Sequence, residues 1–430
     1  MSAKISAPKG ILDILPAESW KWQAVERIAR EIAAIYHFAE IRTPIFEHTE
    51  LFHRGVGETS DVVAKETYTF EDRGGRSITL RPEGTAGVVR AAIEHNLVAQ
   101  EGARVKVFYI GPNFRYERPQ AGRLRQHHQF GAEAFGAADP EQDVECILLQ
   151  MDFYARCGVK DLSLRLNTLG DRESKQRYRD ALVAVLSPLA ARLSEDSQRR
   201  LSSNPLRILD SKDPRDVETI QSVQLPGAFE YLSTVSRAHW DRVLQLLEQS
   251  GVKFAVDGTL VRGFDYYTNT LWEVTAGGLG AQNAIGGGGR YDNLVEQLGG
   301  RPTPGVGFGS GIERLLLALE NQGVQLPRVE PKLIWLVSHG DDAKQANWKL
   351  MLGLRRAGFA CDMDPSGRSV KSQFKVADRE HAAYCLITGE TELAAGTVVV
   401  KDLATSQQVT VPRDAVVEHL RSAGVAVRPF

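Results

Sequence analysis

The sequence has few cysteines and no long apolar run. Its four cysteines, Cys146, Cys157, Cys361 and Cys385, are scattered among 430 residues without C-x-x-C spacing or paired histidines nearby. This pattern indicates neither a disulfide framework nor a zinc site, so we expect core thiols. No apolar run approaches the ~20 residues that a membrane helix needs, and the N-terminal residues lack the apolar core of a secretory signal. We therefore expect a soluble, cytoplasmic protein with no membrane partner.

The chain also has no excess of charge of either sign. It carries 52 lysine and arginine residues against 54 aspartate and glutamate residues, a formal net charge of −2 at pH 7. Non-specific coating of nucleic acid depends on a large basic excess, so this class of protein is disfavoured. A structured RNA can still be held by local basic patches and single-stranded contacts, so an RNA partner has to be argued from particular segments.

Two common nucleotide-binding signatures are absent from the glycine run 286–289. The run is followed by Arg-Tyr-Asp-Asn. It therefore lacks the Lys-Ser/Thr of a P-loop, and it lacks the G-x-G-x-x-G spacing of a dinucleotide fold. We interpret this run as a close-packing strand and turn beside a site.

The length of the chain exceeds what one hydrophobic core usually supports, so we expect two or three domains. Apolar residues at helical spacing predict a helix over 20–38. Pro44 interrupts a predicted strand over 38–47, and because proline cannot donate to a ladder, we place this strand at an edge or an interface. Two further strands, 105–110 and 127–135, are joined by an arginine-rich loop and form a long hairpin.

The rest of the chain separates into a helical stretch and a C-terminal α/β region. Residues from about 171 to 250 are of helical type with few β-branched residues, and they look like an inserted module. Past Glu320 a connection with proline and glycine marks a domain boundary. We predict a first domain over 1–325, which contains the insertion, and a second over 331–430. Alternating strands and helices of the second domain are predicted over 333–337, 342–357, 359–363, 369–379 and 383–387.

The most unusual segment is 262–272, which reads Arg-Gly-Phe-Asp-Tyr-Tyr-Thr-Asn-Thr-Leu-Trp. It places an arginine, an acid and two adjacent tyrosines where a buried strand would normally carry aliphatic residues. The arginine supplies a fixed fork of donors for a phosphate or carboxylate, and the tyrosines supply apolar area with a hydroxyl at the tip. We predict that this segment binds a small molecule that is both aromatic and anionic.

Four arginines lie within eleven residues of the hairpin loop, at 115, 118, 123 and 125, and only Glu117 is available there to balance them. Their fork geometry favours a phosphate ligand, with a solvated charge run as the alternative. In the strand that follows, alternation puts Gln129, Gly131 and Glu133 with His127 on one face and apolar residues on the other. The polar face is either wetted by solvent or covered by a ligand that lies against the glycine.

Two helix starts carry further candidates. The glycines of segment 305–311 carry no side chains, so another backbone or a ligand can approach it closely. Arg314 lies in the first turn of the helix that follows. A cation near the positive N-terminus of a helix is unfavourable. This placement indicates that an anion binds between Arg314 and the helix N-terminus, with an ion pair between Arg314 and a nearby acid as the alternative. Glu83 and Thr85 lie between a predicted strand and a helix, where they either bind an ammonium group or cap the helix.

In this order the segments resemble the histidyl-tRNA synthetase family of class II aminoacyl-tRNA synthetases, over nearly the whole chain. The loop around Arg115 resembles class II motif 2, the segment around Arg314 resembles motif 3, and 262–272 resembles the histidine-specific signature. The resemblance implies an α+β fold, in which an antiparallel sheet flanked by helices carries a helical insertion and is followed by a C-terminal α/β anticodon-binding domain. It also implies a homodimer, built partly through the Pro44 strand.

The resemblance implies a histidine–tRNA ligase, which forms histidyl-adenylate from L-histidine and ATP with Mg²⁺ and then charges histidine tRNA. Arg115 and Arg262 are the implied catalytic residues. Glu133 and Tyr267 are expected to bind the two imidazole nitrogens, which need hydrogen-bonding partners. No metal ligand among the side chains is assigned. Implied contacts are Glu83, Gly84, Thr85, Arg115, Gln129, Glu133, Arg262, Tyr266 and Tyr267 to histidine, Arg115, Glu117, Arg123, His127 and Arg314 to ATP, and Arg118 and Gln120 to tRNA.

One position departs from the family pattern. His127 stands where the family often has a phenylalanine that stacks on adenine, and an imidazole can also stack on a base. A rival interpretation is the regulatory subunit of ATP phosphoribosyltransferase, a non-catalytic relative that lacks the C-terminal domain and loses motif residues. This chain has both the C-terminal domain and the motif residues. A class I synthetase is excluded because neither His-Ile-Gly-His nor Lys-Met-Ser-Lys-Ser occurs.

Overall fold

The computed structural model describes residues 5–57, 60–100, 102–280, 283–328 and 332–426. By the contacts within the chain it divides into two compact units, Met1–Pro327 and Arg328–Phe430. Each unit has a hydrophobic core of its own. Among the described residues, no helix has both the length and the apolar character needed to cross a bilayer.

The elements of the first unit are numbered in chain order. Its helices are α1 (Pro16–Ile35), α2 (Thr49–Val56), α3 (Asp61–Lys65), α4 (Thr85–Glu94), α5 (Pro140–Cys157), α6 (Arg172–Leu186), α7 (Glu195–Ser203), α8 (Pro214–Gln221), α9 (Thr234–Gln249), α10 (Leu294–Gln297) and α11 (Ile312–Asn321). Its strands are β1 (Ala39–Glu40), β2 (Phe46–His48), β3 (Tyr68–Glu71), β4 (Ser77–Leu80), β5 (Val105–Phe114), β6 (Gln126–Phe135), β7 (Leu162–Thr168), β8 (Phe254–Val256), β9 (Thr268–Ala276), β10 (Ala284–Arg290) and β11 (Gly305–Gly311). Short 3-10 turns lie at Ser187–Arg192, Pro205–Ile208 and Ala228–Tyr231.

An eight-stranded sheet organises the first unit, in the order β1-β5-β6-β11-β10-β9-β7-β8. The strands from β5 to β7 pair antiparallel along this order, and one short parallel strand is added at each edge. Helices α1, α5, α9 and α11 pack apolar side chains against one face. The opposite face meets α4, α6 and α10. The predicted antiparallel sheet flanked by helices is confirmed.

The hairpin of β5 and β6 runs in full register, from Val105 opposite Phe135 to Phe114 opposite Gln126. Its alternation is as predicted, because Phe130, with Ala132 and Ala134, is buried in the core that α5 covers. The side chains of Gln129 and Glu133 therefore point to the other face of the sheet. This placement brings the polar residues of β6 to the face of the sheet where α4 begins.

The predicted edge strand is split around Pro44. The residues before it form β1, at the edge of the eight-stranded sheet, and the residues after it form β2, at the edge of a small antiparallel sheet of order β2-β4-β3. Pro44 itself belongs to neither strand. The expected position at an edge is confirmed, and the missing proline donor explains the break.

The insertion between β7 and β8 is helical, as its composition indicates, and consists of α6 to α9 with the three 3-10 turns. Several of its helices begin at a side-chain cap. Asp171 accepts from Ser174 N at the start of α6, and Ser194 and Ser233 cap α7 and α9 in the same way. These capped helices make the insertion an ordered wall beside the sheet.

The second unit is a five-stranded sheet with helices. Its strands are β12 (Ile334–Ser338), β13 (Cys361–Met363), β14 (Tyr384–Thr388), β15 (Thr397–Asp402) and β16 (Gln408–Pro412), in the order β13-β12-β14-β15-β16. Its helices are α12 (Asp341–Arg356), α13 (Val370–Arg379), α14 (Glu390–Ala395) and α15 (Val416–Ser422), with a 3-10 turn at Arg413–Ala415. The elements predicted between 333 and 387 are confirmed within a few residues. The later antiparallel pair was not predicted.

Candidate active site

Two adjoining cavities open on the polar face of the large sheet. The first has a volume of about 700 Å³, and its wall combines sheet residues, the start of α4 and insertion residues between 194 and 215. The second, of about 400 Å³, lies towards the hairpin loop and the start of α11. Residues that line both include Arg115, Glu117, Arg123 and Arg262. A ligand with one end in each cavity would therefore meet three arginines at the junction.

Most of the residues predicted for the site do line these cavities. Those in the wall of the first are Glu83, Thr85, Arg115, Glu117, Arg123, Gln129, Arg262, Tyr266 and Tyr267. Those in the wall of the second are Arg115, Glu117, Arg123, His127, Gln129, Arg262 and Arg314. Four predicted residues are in neither wall: Gly84, Arg118, Gln120 and Glu133.

Glu83 is buried and caps the N-terminus of α4. One carboxylate oxygen accepts from Thr85 N at 2.6 Å, and the other accepts from Ala86 N at 2.8 Å. Burial raises the pKa of this carboxyl above its usual value, although both N–H groups oppose that shift. Capping and ligand binding are compatible here, because the capped carboxylate also faces the first cavity.

Glu133 lies directly beneath the first cavity, fully buried. Its Oε1 accepts from Thr85 Oγ1 at 2.8 Å and from the Tyr109 hydroxyl at 3.2 Å, and its Oε2 accepts from the Tyr291 hydroxyl. Removal from water raises the pKa of Glu133 to about 8, because three hydroxyl donors compensate only part of the lost hydration. This carboxyl is fixed in orientation and easily protonated near neutral pH.

The raised pKa of Glu133 has a measurable consequence for stability. A carboxyl whose folded pKa exceeds its unfolded pKa binds its proton more tightly when folded, so stability falls as pH rises from about 4.5 to about 8. The glutamine in Glu133→Gln carries no charge at any pH. At pH 8 the free energy of unfolding of this variant should exceed that of the native protein by roughly 1–3 kcal/mol, and its melting temperature should be higher. The difference in stability between the two proteins should disappear near pH 5. Thermal melts of both proteins across this range check it, and parallel curves would contradict the pKa assignment.

Two glycines make room for the ring of Tyr109. A Cβ atom at Gly84 would lie 2.3 Å from Tyr109 Cε2, and one at Gly131 would lie 2.3 Å from its Cζ. The ring is thus held between the start of α4 and β6, with its hydroxyl on Glu133. Gly84 therefore acts in the structure by admitting this ring, and a side chain there would displace it.

The segment from Arg262 to Tyr267 forms one side of the first cavity. Tyr266 and Tyr267 are 5% and 6% exposed, with ring centroids 4.6 Å apart, and Tyr266 also meets Tyr291 edge-on. These rings supply the apolar surface that the sequence predicts. The close contacts between these rings favour a preformed pocket.

Arg262 lies at the junction of the two cavities. Its Nη1 donates to Glu273 Oε2 at 3.2 Å. A Cβ atom at Gly287 would come within 2.9 Å of this Nη1 and 2.5 Å of the Trp272 carbonyl oxygen. The glycine run that contains it is strand β10, so the prediction of a close-packing strand beside the site is confirmed. Glycine is required here because another residue would push the arginine away.

The arginines of the hairpin loop differ in their surroundings. Arg115 donates from Nε to the Pro82 carbonyl at 2.8 Å, and its guanidinium lies over the Phe264 ring, 5.4 Å from the centroid. Glu117 Oε2 lies 3.3 Å from Arg123 Nη1 and Glu117 Oε1 lies 3.9 Å from Arg115 Nη1. Arg115 and Arg123 are therefore held in the cavity wall, which is unlike a solvated charge run.

Arg314 and His127 belong to the second cavity. Burial and repulsion from Arg123 lower the pKa of Arg314, so the two cations face one space. The neighbouring acid Glu313 accepts from His128 N at 2.9 Å and is 2.9 Å from His128 Nδ1. Burial, with repulsion from Arg115, lowers the pKa of His127 to about 3, so its imidazole is neutral. An anionic ligand would relieve the repulsion in this cavity.

Arg118 and Gln120 lie at the exposed tip of the hairpin loop, outside both cavities. Gln120 and Arg123 form a two-residue bridge through their backbones, with N to O distances of 3.1 and 2.9 Å. Their exposure leaves them accessible to a macromolecule. Their predicted contact with tRNA stays a prediction.

Several site residues were not found from the sequence. Tyr109 and Tyr291 hold Glu133, and Asn113 donates from Nδ2 to Gln129 Oε1 at 2.7 Å. Glu273 pairs with Arg262 and lines both cavities. Alternation along β5 offered a weak signal, because Tyr109 and Asn113 share the parity of Gly111 on that strand. The strand pairing that brings Tyr291 to Glu133 has no local signal.

Comparisons with known proteins agree along the whole chain. Residues 10–315 match the family model described as histidyl-tRNA synthetase, and 333–423 match the model of an anticodon binding domain. The chain is 51% identical to the histidine–tRNA ligase of Moorella thermoacetica over 416 residues, 97% of this chain and 98% of that protein. For that of Anoxybacillus flavithermus the identity is 49%, over 96% and 98% of the two chains.

Solved structures give the same result. The crystal structure of apo S. aureus histidyl-tRNA synthetase superposes with a TM-score of 0.83 at 38% identity, covering 97% of this chain and 99% of that one. A Bacillus halodurans structure described as an ATP phosphoribosyltransferase regulatory subunit/histidyl-tRNA synthetase has a TM-score of 0.62 at 20% identity, covering 90% and 98%. The second likeness is one of fold alone.

Proposed function

Because the chain belongs to the histidyl-tRNA synthetase family, we propose that its first cavity binds histidine and its second binds ATP. The reaction of the family activates L-histidine with ATP to histidyl-adenylate and pyrophosphate, and then transfers histidine to the 3'-terminal ribose of its tRNA. The observation that carries the assignment of the cavities is the position of Arg115 and Arg262, which line both. The bond between histidine and the α-phosphate has to form where the cavities join.

The proposed catalytic residues act by charge. In the first step the histidine carboxylate attacks the α-phosphorus, and negative charge develops on the phosphate oxygens and on the leaving pyrophosphate. Arg115 and Arg262 present fixed guanidinium donors to that place. Such preorganised donors stabilise developing charge at little reorganisation cost. Each is held by a second group, Arg115 by the Pro82 carbonyl and Arg262 by Glu273.

Recognition of histidine is proposed for the groups that surround the first cavity. Glu83, Thr85 and Gln129 would take the α-amino end, where Glu83 supplies negative charge and Asn113 fixes the Gln129 amide. Tyr267 would take one imidazole nitrogen, with Tyr266 along the ring. Glu133 lies beneath the cavity wall, so it would act on the other nitrogen through the hydroxyl groups of Thr85 and Tyr109 that it orients. Buried polar partners of this kind reject an amino acid that leaves them unpaired.

The ATP end is proposed to lie in the second cavity. Arg123 and Arg314 would hold the terminal phosphates, because these two cations line one space. His127 is neutral, and its imidazole offers a flat face to adenine. Glu117 lies between Arg123 and Arg115, where its carboxylate reduces the repulsion between the two guanidinium groups.

Mg²⁺ is proposed as the cofactor that accompanies ATP, and it would neutralise phosphate charge when bound. Within the described ranges no cluster of three or more His, Cys, Asp and Glu residues is placed to hold a metal ion. Mg²⁺ commonly uses one or two carboxylates together with substrate phosphates. Glu117 and Glu273 line the second cavity and fit that donor set.

The histidine assignment predicts a selective defect for Tyr267→Phe. Loss of the hydroxyl should weaken histidine binding by about tenfold, because one hydrogen bond to the ligand is worth on the order of 1 kcal/mol or more. Binding of ATP should change less than twofold. Tyr231→Phe is the matched control, since it removes a tyrosine hydroxyl from a residue outside both cavities. Calorimetric titration of each ligand measures both constants, and equal loss of histidine and ATP affinity would contradict the assignment.

The non-catalytic relative remains the alternative to exclude by experiment. It shares the fold, as the Bacillus halodurans structure illustrates. The observations favour the enzyme, because Arg262, Tyr266 and Tyr267 are present in the first cavity and a second unit follows.

We propose that the second unit contacts the anticodon of histidine tRNA and that Arg118 and Gln120 contact tRNA near the active site. The match of 333–423 to an anticodon-binding family supports the first part. The exposure of both hairpin residues beside the second cavity supports the other. The domain limits proposed from function are 1–325, with its insertion, and 331–430.

A cytoplasmic homodimer is also proposed. Apolar side chains are exposed around the split edge strand, where Ile45 is 45% and Phe46 is 57% exposed, and Phe70 of the same small sheet is 49% exposed. Exposed apolar groups on both edge strands of this small sheet favour burial in an interface. All four cysteines are free and buried, as is typical of a reducing compartment.

A further inference from the structure

The segment 262–267 carries Arg262, Tyr266 and Tyr267, yet it has no regular secondary structure. It lies between β8 and β9, and the backbone N–H of Asp265 donates to the Val56 carbonyl at 3.4 Å, which is long for a hydrogen bond. A segment without a ladder or helix of its own needs other groups to fix its conformation. Those groups come from the helical insertion.

Three insertion side chains hold this segment. Lys175 Nζ in α6 donates to the carbonyl oxygens of Asp265 at 3.0 Å and Tyr267 at 3.2 Å. Asn204 Nδ2, at the end of α7, donates to Asp265 Oδ1 at 2.8 Å. Arg207 Nη1 donates to the Arg262 carbonyl at 3.3 Å.

The contact of Lys175 is the most informative of the three. An ammonium group of this kind normally points into water or pairs with a carboxylate, because burial disfavours its charge. Here it bonds two backbone carbonyls on either side of Tyr266. The ammonium group therefore ties together the backbone on both sides of Tyr266 and fixes the path of the chain through the two tyrosines.

We propose that Lys175, assisted by Asn204 and Arg207, is a positioning residue that aligns Arg262 and Tyr267 for histidine activation. The role rests on the proposed function of the first cavity. It makes the insertion part of the active-site architecture, although Lys175 and Asn204 line neither of the two cavities. A displacement of Arg262 by about 1 Å can lower a rate by up to 10²-fold, so the loss of such support is measurable.

Lys175→Met tests the proposal because methionine keeps the length of the side chain and removes its donors. We expect kcat of histidine-dependent pyrophosphate exchange to fall by about tenfold and the KM for histidine to rise about threefold, with the KM for ATP within twofold. Lys175→Arg keeps a cation that can donate to both carbonyls and should recover most of the loss. Arg177→Met is the matched control, an exposed cation on the same helix that pairs with Glu173.

A second arm separates positioning from general stability. In an Arg262→Ala background, Lys175→Met should lower the rate by less than about twofold, because residues that act through one another are not additive. Amide hydrogen exchange of 262–267 should become at least about tenfold faster in Lys175→Met and stay unchanged in Arg177→Met. These hydrogen-exchange rates do not depend on catalytic activity, so they test the positioning role by themselves. If no amino acid supported turnover, the proposed function would be contradicted, but the positioning role would still be tested by hydrogen exchange.

Two results would overturn the positioning role. One is equal kinetics and equal hydrogen exchange in Lys175→Met and Arg177→Met. The other is a set of three changes caused by Lys175→Met: a parallel rise of the KM values for histidine and ATP, a lowered melting temperature, and the same tenfold rate loss in the Arg262→Ala background. Together these changes would show a damaged fold.

Discussion

Arg262→Ala is expected to lower the rate of histidine activation by on the order of 10²-fold or more, with a much smaller change in the KM for histidine. The guanidinium lies at the junction of the two cavities and is held by Glu273. It therefore faces the place where phosphate charge increases during reaction. Loss of an interaction made mainly in the transition state lowers kcat more than it weakens ground-state binding. Steady-state pyrophosphate exchange measures both parameters.

Arg165→Ala is the control for this prediction, because Arg165 Nη1 also pairs with Glu273, at 3.4 Å. If the defect in Arg262→Ala arose only from the release of Glu273, the two variants would behave alike. We expect the Arg165 variant to retain at least about a tenth of the native rate, given that surface ion pairs contribute little. An unchanged rate in Arg262→Ala would make Arg262 structural.

Removal of the second unit is expected to abolish most tRNA charging while it preserves adenylate formation. A chain that ends at Pro327 keeps both cavities and the large sheet with its core. It loses the anticodon contacts proposed for residues 328–430, and a loss of about 3 kcal/mol of binding corresponds to roughly 10²-fold in charging efficiency. Pyrophosphate exchange and charging are measured on the same preparation, whose association state is checked by sedimentation.

Undiminished charging by the truncated chain would contradict the assignment of this unit to tRNA. The surface that could make the contacts is the outer face of α13. Lys371, Lys375 and Arg379 are exposed there, Arg368 is exposed just before the helix, and the other face of the helix packs inward through Ala377. Arg368 and Arg379 each have an acidic neighbour, Asp364 and Glu380, so a solvated helix face fits the same observations.

Patterns with a short period could be predicted from the sequence. The alternation of β6 places Gln129 and Glu133 away from the core because strand side chains repeat every two residues. The glycines of β10 indicate close approach, and the structure shows what approaches: Arg262, Trp272 and Tyr267. The helical insertion followed from composition. These features are local, so one segment suffices to predict each of them.

Contacts between distant segments could not be predicted in the same way. Tyr109 and Tyr291 meet at Glu133 only because β5, β6, β11 and β10 pair in that order. Lys175 looked like one of many exposed cations on a polar helix, and its two carbonyl partners lie about ninety residues away. Such partners depend on the sheet order and on the path of the insertion, which no local pattern contains.

The two cavities together are predicted to bind histidine and ATP for the activation of histidine and of no other amino acid. Pyrophosphate exchange into ATP, measured with each of the twenty amino acids in turn, tests it most directly. The predicted result is exchange with histidine alone, because the groups proposed to bind imidazole would gain no hydrogen bond from an apolar or smaller side chain. Exchange with a different amino acid, or with none while ATP and Mg²⁺ are saturating, would contradict it.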